Sequence, residues 1–150
     1  MNRFVWRLQR ILDLKIREEK LKKAELFELT NKVIKSREEL FRKQGILENL
    51  LRQVGGGKER GLLEQEFVMK SCEINKKVID GLKKKTRLLE EQRKEKMADF
   101  LKVRKFREAL EKLRAKARQR FLKEQEKLEQ KQLDEDATIS FVRKAAHQEL

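Results

Sequence analysis

Few side chains in this sequence could carry out chemistry, and none stands with the partners that chemistry requires. The single histidine, His147, lies close to the end of the sequence. An imidazole acts as a base or a ligand only when a second group is held beside it. The single cysteine, Cys72, falls inside a helical pattern with no adjacent base to activate its thiol. The run Val54-Gly55-Gly56-Gly57-Lys58-Glu59-Arg60-Gly61 resembles a phosphate cradle only superficially. A phosphate loop needs Ser or Thr after the lysine and a strand before the glycines. Here Glu59 follows Lys58, and no strand pattern precedes Val54. The acidic cluster Asp134-Glu135-Asp136 lacks the spacing of a calcium loop and reads as a solvated turn. Carboxylate pairs can be picked anywhere in so charged a chain, so picking one carries no information. No catalytic residue, metal site or cofactor site is expected.

The elements around these residues explain why. Of 150 residues, 44% are charged and 6% aromatic, and proline is absent. Glu, Lys, Arg, Leu and Ala recurring at helical spacing mark a coiled coil or long helix. Such a chain can bury one narrow seam between helices, and not a layered core. Four of the six glycines fall in the run at 55–61, and consecutive glycines resist a continuous helix. The expected fold class is all-α: a long two-helix antiparallel coiled-coil hairpin, its second helix longer than its first. As one coiled-coil domain over residues 1–150, it has helix 1 at about 3–53, a turn at 54–61, helix 2 at about 62–141 and a mobile tail at 142–150.

In helix 1, Leu26, Leu29, Val33, Ser36, Leu40, Lys43, Leu47, Leu50 and Val54 alternate three and four residues apart, which predicts the seam. Carried backwards, that phase meets Lys22, Glu19 and Lys15, so a stutter onto Leu14, Leu21 and Ala24 is expected there. Gly45 reads as a weak point or as a place where a partner packs closely, and Gly81 as a second soft point. Helix 2 places Leu63, Phe67, Ile74, Val78, Leu82, Leu88 and Leu89 in the first part of its seam. The pattern weakens at 84–96 and resumes with Val103, Phe106, Leu110, Leu113, Ala117, Phe121 and Leu128. A turn near residue 58 would set position 20 opposite position 96. Helix 2 would then overhang from about Arg114, with Ala117, Phe121, Leu128, Leu133, Ala137 and Phe141 as an unpaired apolar stripe. Fraying or a second protein would answer that stripe.

The net charge is +14, and residues 83–123 hold 17 Lys and Arg against six Asp and Glu. That field suits acidic protein, anionic lipid or nucleic acid. Nucleic-acid binding is not expected, because glutamates lace the basic span and no aromatic interleaving offers stacking platforms. Adsorption of the basic helix to a membrane is disfavoured, because the apolar stripe is narrow and the partner helix claims much of it. No apolar run approaches the length of a transmembrane helix, and one cysteine permits no intrachain disulfide.

The two ends carry a resemblance. The opening Arg3-Phe4-Val5-Trp6-Arg7-Leu8-Gln9-Arg10-Ile11-Leu12-Asp13-Leu14 resembles the start of the flagellar export protein FliJ family. The late run Leu122-Lys123-Glu124-Gln125-Glu126-Lys127-Leu128-Glu129-Gln130-Lys131-Gln132-Leu133-Asp134-Glu135-Asp136-Ala137 resembles the terminal segment of the same family. The resemblance implies a non-enzymatic component of the bacterial flagellar type III export apparatus, similar in shape to the central stalk of rotary ATPases. Its implied partners are the hexameric flagellar export ATPase, the cytoplasmic domain of the membrane export gate, and export chaperones. It implies a cytoplasmic protein held peripherally at the inner face of the membrane at the flagellar base. On this reading Phe121, Leu128, Gln130, Lys131, Leu133, Asp134 and Glu135 contact the ATPase, and Ile46, Leu50, Phe67 and Ile74 face the export gate. The equivalent stalk of a virulence type III secretion system, and a basic coiled-coil scaffold that binds nucleic acid, are the alternatives.

Overall fold

A computed structural model describes residues 2–55 and 61–148. Among them are two helices and no strand: α1, Gln9–Gly55, and α2, Leu62–Gln148. The two helices make an antiparallel hairpin with the longer helix second, as the heptad pattern predicts. The glycines 56 and 57, with Lys58, Glu59 and Arg60, lie outside the described residues. Val54 and Gly55 belong to α1, and Gly61 immediately precedes α2. There the amide of Gln65 donates to the Gly61 carbonyl at 3.2 Å, closing the first turn, and Glu64 sits where the helix dipole favours an acid.

The helix ends differ from the sequence expectation. α1 starts at Gln9 and not near residue 3: residues 2–6 are non-helical, and the Gln9 amide donates to the Trp6 carbonyl at 3.2 Å. α2 does not stop at 141. The Asp134-Glu135-Asp136 run stays helical because its polar groups bond along the helix. Gln130 Nε2 donates to Asp134 Oδ1 at 3.3 Å, and the Thr138 hydroxyl donates to the Asp134 carbonyl at 2.8 Å.

Contacts divide the chain into two units: Glu18–Val103, and Met1–Arg17 with Arg104–Leu150. In the first unit, Glu25 pairs with Lys96 and Ser36 with Thr86, so position rises along α1 as it falls along α2. Position 96 therefore meets residue 25, about one helical turn further along α1 than equal spacing from residue 58 predicts. The α1 seam is the predicted one: Val33 and Ser36 are buried, and Leu26, Leu29, Leu40, Lys43, Leu47, Leu50 and Val54 are half-buried. The stutter is absent. Lys22 and Glu19 are half-buried on the original phase, while Leu21 and Ala24 are exposed. Long charged side chains fill such positions by packing their stems and keeping their heads in water.

α2 corrects the predicted phase. Leu63, Phe67, Ile74, Val78 and Leu88 point outward. Leu82, Leu89 and Val103 do enter the seam as predicted, and they are joined there by Val68, Cys72, Ile79, Thr86, Arg93 and Phe100 in one continuous phase across the weak span at 84–96. At its centre the Ser36 and Thr86 hydroxyls lie 2.6 Å apart in a buried hydrogen bond. Arg37 Nε donates to Glu90 Oε1 at 2.8 Å on one flank, and Lys96 Nζ to Glu25 Oε2 at 3.0 Å on the other. The hydrogen bond from Lys96, and then its charge, lowers the Glu25 carboxyl from its ordinary range; the same bond raises the Lys96 ammonium. A depressed carboxyl stabilises above its unfolded value and loses that contribution as pH falls through the folded one. A raised ammonium stabilises below its unfolded value and loses it as pH rises through the folded one. The pair thus holds through neutral pH. Both side chains are about half exposed, so salt weakens it.

In the second unit, Leu12 and Leu110 are buried and Lys15, Arg107, Arg114 and Ala117 half-buried, on the same three-and-four spacing. Phe106 and Leu113, predicted for the seam, are half exposed at its edge. Lys15 Nζ sits 5.0 Å from the Phe106 ring centroid.

Two outcomes test this seam by urea denaturation. Val33 is fully buried and Phe41 is 79% exposed, so Val33→Ala is expected to cost about 2 kcal/mol and Phe41→Ala less than about 0.5 kcal/mol. Ser36→Ala or Thr86→Val alone is expected to cost about 1–3 kcal/mol, by leaving one buried hydroxyl without its partner. The double variant is expected to recover much of that loss. Additive single costs would show that the two hydroxyls do not depend on each other.

Candidate functional site

The charged overhang is shorter at its base than the sequence suggests, because the non-helical N-terminal segment covers part of it. Phe4 meets Phe121 with ring centroids 5.4 Å apart and planes at 51°. Arg114 lies 5.8 Å from the Phe4 centroid, and its Nε donates to Gln9 Oε1 at 2.8 Å. Arg114, Ala117 and Phe121 are therefore half-buried, and only beyond Phe121 does α2 lose its covering. From residue 122 to 148 every described residue except Gln125 is exposed. Sequence reasoning took Phe121 for the free stripe. It missed Phe4, whose alternation with Trp6 in a non-helical segment carried no heptad signal.

The predicted ATPase-contact residues therefore fall into distinct groups. Phe121 is occupied by Phe4. Leu128, Lys131 and Glu135 line an open groove of about 600 Å³ with Asn2, Gln125, Glu129 and Gln132. Gln130 and Asp134 are joined by their own hydrogen bond and do not line that groove; they lie about 160° and 120° round the helix from Leu128. Leu133 is 64% exposed but lies about 140° round the helix from Leu128, since each residue advances about 100°. A second groove, about 480 Å³, is lined by Leu12, Leu122, Arg114, Arg118, Gln9, Gln119, Ala115 and Glu111. Its apolar floor and paired guanidinium groups suit a partner bearing both apolar and acidic side chains.

The predicted gate-facing residues separate as well. Leu50 is half-buried in the seam, whereas Ile46, Phe67 and Ile74 are exposed. On the outer side of α1, Phe27, Ile34 and Phe41 recur every seven residues and are all exposed. They had no place in the sequence reading, although the spacing was there to be read. Gly45 is exposed, and a Cβ built there would meet nothing within 4 Å, so close packing of the two helices does not require it.

Cys72 is buried in the seam and His147 is exposed on α2. Among the described residues no three His, Cys, Asp or Glu side chains gather as a metal site. Nor is any helix long and apolar enough to cross a membrane.

A seam-forming hairpin with large apolar side chains left on its outer faces belongs to the class of coiled-coil proteins that work by docking to partners. The family model of the Flagellar FliJ protein matches residues 4–146, and the chain belongs to the FliJ family. It is accordingly a non-catalytic component related to flagellar protein export. No curated protein and no solved structure matched the chain.

The N-terminal cover gives an accessible test. Phe4→Ala is expected to cost about 1–2 kcal/mol, from lost ring packing and partial burial. It is also expected to speed tryptic cleavage at Arg3 and Arg7. Unchanged cleavage would mean that Trp6 or Leu8, and not Phe4, holds the segment.

Proposed function

We propose that this chain is a stalk-like connector that links the hexameric export ATPase to the membrane export gate and assists export chaperones in their cycle. It would work on the cytoplasmic side, held peripherally at the inner face of the membrane at the flagellar base. The observation that carries this reading is the α2 face beyond Phe121, which no described residue of the chain covers. Leu128, Ile139 and Val142 are each more than half exposed there. Fully burying three such side chains yields about 5–9 kcal/mol. Association itself costs about 4–15 kcal/mol. Apolar burial alone is thus marginal, and the polar groups beside it, Lys131, Asp134 and Glu135, supply orientation and the remaining attraction. Ile46, Leu50, Phe67 and Ile74 belong, on this proposal, to the gate-facing side.

A connector needs no nucleophile, base or metal. It needs stiffness and distinct surfaces. Within each unit, two paired helices bend less readily than one, so a surface they carry is held firmly.

The test is a titration of the full chain into the export ATPase, following hydrolysis rate and light scattering. Faster hydrolysis with ring assembly is expected. No effect at micromolar concentration would overturn the ATPase linkage. Reversing both acids, Asp134→Lys with Glu135→Lys, is expected to weaken the stimulation about tenfold or more. Leu133→Ala is expected to change it least, since Leu133 lies away from the groove. Unaltered stimulation by the double reversal would remove these acids from the contact.

A further inference from the structure

We propose that the α2 face carrying Phe67, Ile74, Gly81 and Leu88 adsorbs onto an anionic phospholipid surface. The inference rests on the gate-side location proposed above, and names the bilayer beside the gate as what this face meets.

The four positions recur every seven residues. Phe67, Ile74 and Leu88 are 73%, 64% and 57% exposed, so the partner helix leaves this stripe free. Sequence phase had assigned the same residues to the seam, which would have ruled adsorption out. Lys70, Lys77, Lys84 and Lys85 flank the stripe within about a third of the helix circumference. All four are exposed, and none forms an ion pair among the described residues. The two acids in this span, Glu73 and Asp80, lie about 100° and 120° round the helix from Ile74, on the outer edge of the flank that carries Lys77 and Lys84. Between Phe67 and Leu88 the face is therefore apolar with a cationic excess, four lysines against two acids set further from the stripe, over about 30 Å of helix.

The lysines select lipid over a protein partner. Protein interfaces are depleted in lysine, whereas interfacial helices carry lysines along an apolar stripe. Their long stems let ammonium groups reach phosphates while the stripe sinks toward the acyl boundary. A Cβ at Gly81 would meet nothing within 4 Å, so the face has room for a larger apolar side chain there.

The test is co-sedimentation of the full chain with phosphatidylcholine vesicles prepared with and without phosphatidylglycerol. Binding to the anionic vesicles only is expected. Lys77→Glu with Lys84→Glu is expected to reduce it about tenfold or more. Gly81→Leu is expected to tighten it about threefold or more, with the variant staying in the supernatant when vesicles are left out. Lys112→Glu with Lys116→Glu, elsewhere on α2, is expected to act much more weakly. Circular dichroism of each variant confirms that the helices persist. No binding to the anionic vesicles overturns the inference. Equal loss from the Lys112 and Lys116 reversals also overturns it, by assigning the attraction to overall charge. Binding of the gate's cytoplasmic domain to a chain that ignores vesicles overturns the lipid inference while leaving the connector reading intact.

Discussion

The structure depends on one narrow line of contact between two helices. With 44% of its residues charged, the chain has too little apolar surface for a layered core. Only eight hydrophobic residues among those described are buried, from Leu12 to Leu110, and they follow a three-and-four spacing along the two helices. Between them stand Lys15, Glu19, Lys22, Arg93, Arg107 and Arg114, whose stems pack while their charges stay wet. A seam this thin has little energy to spare. The buried Ser36–Thr86 bond matters because a shift in register would separate the two buried hydroxyls.

The same seam decides what remains outside. Two apolar stripes run along the first part of α2, offset by one residue: Phe67 beside Val68, and Leu88 beside Leu89. Phe67, Ile74 and Leu88 face water, and Val68, Cys72, Ile79, Leu82, Thr86 and Leu89 enter the seam. Burying Phe67 would have satisfied hydrophobicity locally. It would also have moved Thr86 out of reach of Ser36. The choice leaves phenylalanine, isoleucine and leucine side chains on outer faces, where they can meet other molecules.

Membership of the FliJ family gives those surfaces a setting in flagellar protein export. One arrangement pairs the helices along a seam and leaves apolar side chains uncovered among the charges of the outer faces. The covering of Phe121 by Phe4 marks where pairing ends and the uncovered face begins.

The sequence by itself determined the helical class, the antiparallel pair, the break at the glycines and the seam of α1, because heptad spacing and glycine entropy act over neighbouring residues. It also determined that α2 outlasts α1, which follows from where the glycines fall. Tertiary structure decided the phase of α2, the absence of a stutter at Lys15, Glu19 and Lys22, and the non-helical cover laid by Phe4 over Phe121. Each of these turns on a choice between stripes of nearly equal hydrophobicity, or on a contact between residues more than a hundred positions apart. Spacing cannot rank such alternatives. The partner helix can, since only one phase of α2 presents to Ser36 a hydroxyl at hydrogen-bonding distance.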